Sequence, residues 1–130
     1  MQFAGAVLYV DDVQATVDFY RRAFGLKLRF FDESLGFAEL ATGGSTLFIA
    51  SHSLGQMLMP GVYHRPPEGG PVGVEIAFLT ENVPASAAKA VAEGAVMIAA
   101  PKRMPWGLEV AYVRAPDGTI IGFSEPPPAV

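Results

Sequence analysis

The chain contains no cysteine, two histidines and one tryptophan in 130 residues. The absence of cysteine excludes a disulfide framework, a thiol nucleophile and any cysteine-held metal, and it fits a reducing compartment, so a cytoplasmic protein is expected. No His-x-His, HExxH or two-His-one-carboxylate spacing occurs anywhere, so the usual ligand patterns for a transition metal are missing. Charge is also sparse. Charged residues make up 17% of the chain, the nine Lys and Arg are scattered, and the net charge is -4 with a pI near 5.0. A phosphate-binding surface needs a basic field, so a nucleic-acid role is not expected. No apolar run approaches the ~20 residues of a membrane helix. The opening MQFAGAVLYVDD has no basic region of the secretory type, so no signal peptide is expected.

What is present suits a folded core. Hydrophobic residues are 51% of the chain, and this length fits one compact domain or two small halves sharing a core. Residues 3–10, FAGAVLYV, are apolar and β-prone and read as a strand covered on both faces. Asp12 is placed to cap a helix, with its carboxylate at the positive end of the dipole. Val13, Val17, Tyr20 and Phe24 then fall on one helical face. Arg21 and Arg22 sit in the last turn, and Gly25 can take the left-handed conformation that ends it. Leu26–Phe31, Phe37–Ala41 and Thr46–Ser51 read as three strands joined by the tight turns at 32–34 and 42–45, and so as an antiparallel meander.

Residues 52–71 break the pattern. They hold four prolines and four glycines with no sustained period, which predicts a linker, with one helical turn at Leu54–Leu58. Its length suggests that it covers something, as a lid, or crosses between halves. The order then repeats. Val74–Thr80 reads as a strand. Asn82 is a cap, Pro84 stands in the first turn, and Val83, Ala87, Ala90, Val91 and Gly94 make an inward stripe. Asp12, Val13, Val17 and Tyr20 superpose on Asn82, Val83, Ala87 and Ala90 at an offset of seventy, the mark of a duplicated unit. Val96–Ala100, Leu108–Arg114 and Thr119–Ser124 supply three more strands, the last two joined by the turn Ala115-Pro116-Asp117-Gly118. Pro126 to Pro128 end the sheet.

The expected fold is therefore α+β, two βαβββ modules forming a cupped mixed sheet with helices on the outer face. Module one covers 1–51, the linker 52–71, and module two 72–126, in a single domain spanning 1–130. Alternation assigns Ala6, Leu8, Val10, Leu47 and Ile49 to the helix-facing core. It turns Gly5, Val7, Tyr9, Thr46, Phe48 and Ala50 to the opposite face, where two sheets side by side would line a shared cleft.

The runs VLYVDDVQATVDFYRRAFGLKL, VEIAFLTENVPASAAKAVAEGA and WGLEVAYVRAPDGTIIGF together resemble the vicinal oxygen chelate superfamily, the group of glyoxalase I, the bleomycin-resistance proteins and the extradiol dioxygenases. The resemblance covers nearly the whole chain. It implies paired βαβββ modules and, commonly, a homodimer. It also implies, in the metal-dependent members, a divalent ion held by His, Glu or Gln from the first and last strand of each module. Those four positions fall here on Gly5, Phe48, Glu75 and Gly122. Only one of them carries a donor, and about three protein ligands are needed for a catalytic ion, so no metal and no other cofactor is expected.

Candidate site residues follow from the same faces. Glu75 lies in an apolar strand, where burial would raise its pKa and suit a general base or a ligand acceptor. Otherwise it pairs with an arginine such as Arg114 or Arg103, or reaches water in the cleft. Tyr9, Phe48 and Tyr112 could line an apolar, aromatic cleft. Glu39 could join them or pair across strands with a basic residue. Trp106, in the bend Met104-Pro105-Trp106-Gly107, is a stacking wall for a flat ligand or a cap on the core. His52 and His64 make a weak metal pair, and either could act alone as an acid or base. The expected function is small-molecule binding without a catalytic metal, with Glu75 orienting the ligand. A lyase, isomerase or dioxygenase-like enzyme using Glu75, and a non-catalytic interaction subunit, are the alternatives.

Overall fold

The computed structural model describes residues 2–61, 63–66 and 74–128. The element order is β1 (Gly5–Val10), α1 (Val13–Phe24), β2 (Lys27–Asp32), β3 (Phe37–Ala41), β4 (Thr46–Ser51), α2 (His52–Leu58), β5 (Glu75–Leu79), α3 (Val83–Ala92), β6 (Val96–Arg103), β7 (Glu109–Arg114) and β8 (Ile120–Ser124). The chain divides into two compact units, Met1–Pro67 and Glu68–Val130. Each contains one four-stranded mixed sheet, in the orders β1-β4-β3-β2 and β5-β8-β7-β6, and neither closes. The α+β class and the repeated strand–helix–three-strand order are thus present, in two sheets.

In the first unit β1 runs parallel to β4, while β4, β3 and β2 form the antiparallel meander. Helix α1 starts where the Asp12 carboxylate accepts the Ala15 N–H at 2.9 Å. It ends at Gly25, which takes φ 70° and donates its N–H to the Arg21 carbonyl. The amphipathic spacing buries Val13, Val17, Phe19, Tyr20 and Ala23 against Ala38, Leu40, Leu47 and Ile49. Phe19 meets Tyr20 and Phe24 edge-on, at 5.4 and 5.5 Å between ring centres. Helix α1 packs over β4, β3 and β2, so the edge strand β1 is only partly covered. Ala6, assigned by alternation to the core, is exposed, and Leu8 is half-buried.

Residues 52–58 are not linker. Ser51 caps α2 by accepting the Leu54 N–H at 3.0 Å, so the helix begins two residues before the expected turn. It packs on β4 and β1, as part of the first unit rather than as a cover. The rest of the 52–71 stretch falls partly outside the described residues, at 62 and 67–71.

The second unit repeats the first with smaller residues. The Asn82 side chain accepts the Ala85 N–H at 3.0 Å, and α3 buries Val83, Ala87 and Ala90 against β6, β7 and β8. Val91 and Gly94 leave the expected stripe and are exposed. Val110, Ala111, Val113, Ile121 and Phe123 complete this core.

Candidate functional site

The sheet face turned away from α1 is aromatic. Phe48 on β4 stacks on Phe37 of β3 at 5.8 Å and 23°, and Phe37 meets Phe30 of β2 at 6.3 Å. Phe30 reaches this face through a bulge. Leu28 pairs with Leu40 and Phe30 with Glu39, which leaves Arg29 as the extra residue. Strict alternation would have sent Phe30 into the core beside Leu28. The bulge also extends Arg29 along the face, where it donates Nε–H to Glu39 at 3.2 Å and an N–H to the Thr46 hydroxyl at 2.5 Å. Glu39 therefore takes the cross-strand ion pair that was one of its two expected roles. Phe30 and Val7 keep 46% and 44% of their surface exposed, so the face presents contact area.

The far end of the same face is polar. Tyr9 of β1 meets Tyr63 at 5.1 Å between ring centres. The Tyr63 hydroxyl shares a hydrogen bond with His52 Nδ1 at the start of α2. His52 Nε2 lies 3.7 Å from the Asp11 carboxylate, and Arg65 forms an ion pair with Asp11. The Tyr63 ring is held in a notch. A Cβ at Gly55 would lie 2.9 to 3.1 Å from three of its ring carbons, and its N–H donates to the Met59 carbonyl at 3.0 Å. Burial lowers the pKa of His52, and burial followed by the neighbouring Tyr9 raises that of Tyr63. Both are neutral near pH 7, with the imidazole proton assigned to Nε2 by its neighbours. His64 is exposed on the same segment.

In the second unit Glu75 opens β5, and it is exposed rather than buried. The arginines expected beside it are engaged elsewhere: Arg103 with Glu125 at 3.1 Å, and Arg114 with the Gly118 carbonyl at 2.9 Å. The Glu75 carboxylate instead lies over Gly122, where any Cβ would strike its Oε2 and would come 3.0 Å from the Tyr112 ring. Tyr112 pairs with Gly122 across β7 and β8. Trp106, in the turn between β6 and β7, is 68% exposed and caps no core. Tyr9, Glu39 and Phe48 thus share one face of the first unit, and Glu75 and Tyr112 meet in the second.

The positions that the family resemblance assigns to a divalent ion do not fit one. Gly5 has φ 153°, and a Cβ there would run into the Thr46 backbone carbonyl, so no ligating side chain fits at that position. Phe48 is committed to its stack, and at Gly122 the space is filled by Glu75 and Tyr112. Among the described residues no three His, Asp or Glu converge.

Sequence reasoning missed Phe30, Tyr63 and the Asp11–His52 contact. The one available signal was Gly55 inside a helical stretch, a costly residue there unless something packs against its bare Cα.

A profile described as Glyoxalase/Bleomycin resistance protein/Dioxygenase superfamily matches residues 2–123. A glyoxalase-related enzyme from Fulvimarina pelagi superposes with a TM-score of 0.84 at 23% identity, over 98% of this chain and 89% of that one. A glyoxalase/bleomycin resistance protein/dioxygenase family enzyme from Burkholderia phytofirmans PsJN gives 0.76 at 20%, over 96% and 98%. TioX from Micromonospora sp. ML1 gives 0.70 at 22%, also over 96% and 98%. At these identities the likeness is one of fold. No curated protein matches the chain.

Proposed function

The chain belongs to the glyoxalase/bleomycin resistance protein/dioxygenase superfamily, and we propose that within it the protein binds a flat, mostly apolar small molecule without a catalytic metal. One observation carries this reading: the Phe30–Phe37–Phe48 ladder on the open face of the first unit, with Phe48 standing where the resemblance puts a metal ligand. A π-surface of this kind gives a planar guest stacking area. Tyr9 and Val7 border the ladder, and Glu39, held by Arg29, marks its polar side. The protein acts as a homodimer in the cytoplasm in this reading. The exposed Val96 and Ile98 on the edge strand β6 support an association surface.

Titration with 2-methoxynaphthalene tests the proposal. Saturable one-site binding is expected, with the compound recovered chemically unchanged. Phe48→Ala should weaken binding about tenfold, the scale of one aromatic contact plus its buried area. Phe48→Leu, with its fold checked by circular dichroism, should fall between. Equal affinity in wild type and Phe48→Ala would remove the ladder as the site.

A second reading rests on the Glu75 carboxylate seated over Gly122 beside Tyr112. An exposed carboxylate fixed by a glycine notch suits a general base in a lyase or isomerase. If a bound compound is turned over, Glu75→Gln should abolish turnover while affinity is kept. Turnover that survives this change would exclude Glu75 as the base.

A further inference from the structure

We propose that Tyr63, His52 and Asp11 form a hydrogen-bond-accepting terminus that recognises a weakly acidic hydroxyl, phenolic or enolic, on a ligand seated on the aromatic face. This rests on the binding reading above and names the chemistry of its ligand.

The argument starts at the Tyr63 oxygen. With the imidazole proton assigned to Nε2, facing Asp11, the single Tyr63 proton goes to His52 Nδ1, and the lone pairs of the Tyr63 oxygen are left to accept from a donor. His52 can hold this bond because its other nitrogen faces Asp11 at 3.7 Å. That carboxylate fixes the tautomer and would stabilise an imidazolium, and Arg65 holds the carboxylate in place. The groups around His52 are therefore Asp11, Tyr63 and, through them, Arg65 and Tyr9. The phenol is pre-positioned by the Gly55 notch, the Tyr9 ring and its own backbone bond to Met59, so little ordering remains to be done on binding.

A ligand O–H that donates to Tyr63 Oη extends the chain to His52 Nδ1, and each bond strengthens the next. The proton stays on the ligand oxygen, and Tyr63 and His52 stay neutral. A hydroxyl is thus recognised by how strongly it donates, which a plain apolar face cannot do. A ligand with an ether in that place cannot donate and leaves the Tyr63 oxygen unmatched.

The test compares 2-naphthol with 2-methoxynaphthalene, which share the ring system and differ in the donor. Wild type should bind 2-naphthol about five- to tenfold tighter, the size of one net hydrogen bond. Ring-substituted naphthols of rising acidity should bind progressively tighter. Tyr63→Phe keeps the ring and its packing but should erase both the preference and the acidity trend, with 2-methoxynaphthalene affinity unchanged. His52→Leu should flatten the trend as well. A preference that survives Tyr63→Phe, or equal binding of the two compounds by wild type, would overturn this inference and leave the binding reading intact. Binding of neither compound would overturn the binding reading and this inference with it.

Discussion

At the scale of single residues, His52 makes stability depend on pH. Its imidazole is half-buried, with 17% of the side chain exposed, and burial lowers its pKa from the usual 6.5. As pH falls through 6.5 the unfolded chain takes up a proton that the folded chain resists. The unfolded state then binds more protons, and stability declines in that window down to the folded pKa. Asp11 opposes the effect without removing its cause. Thermal unfolding from about pH 7.5 to about pH 5.5 should show a falling midpoint in wild type and a flatter profile in His52→Leu. Identical slopes would mean that other groups set the dependence. None of this could be read in advance. His52 and Tyr63 are eleven positions apart, and only the fold of the segment after α2 brings the phenol back to the imidazole. Glu39 was the opposite case, since alternation placed it on this face and a cross-strand basic partner was one of its two expected roles.

At the scale of elements, the two long helices were legible because their signals are local. Asp12 and Asn82 each accept an N–H from three residues on, at 2.9 and 3.0 Å, and cap chemistry depends on neighbours in sequence. Replacing either by Ala should lower stability by about 0.5–2 kcal/mol, with Gly less damaging. Chemical denaturation of the two single variants checks this, and a near-zero effect at Asn82 would show that Pro84 alone sets the start of α3. The bulge at Arg29 was not legible. A one-residue insertion leaves no mark in composition, yet it reverses the facing of everything after it. Phe30 joins the aromatic face and Arg29 reaches Thr46 for that reason. Helix α2 was partly read: the glycine and proline around it masked a helix that Ser51 caps and the first sheet holds.

At the scale of the molecule, duplication sets the composition of each half differently. Large side chains such as Tyr20, Leu40 and Ile49 fill the first core, while α3 contributes only Val83 and alanines to the second. The second unit also leaves Val96 and Ile98 of the edge strand β6 exposed, so association through that edge is the expected outcome. Sedimentation equilibrium should return about twice the 13.8 kDa of one chain, and Ile98→Lys should return the single-chain mass. A wild-type mass of one chain would remove the dimer from the proposed function.

The amino-acid sequence by itself determined the α+β class, the repeated order of elements and the caps of α1 and α3, because periodicity and capping act between near neighbours. Only the tertiary structure decided the rest. It exposed Glu75 over Gly122, turned Phe30 outward and joined Tyr63 to His52 and Asp11. Each of these depends on register or on chain return over distances at which sequence spacing carries no information about contact.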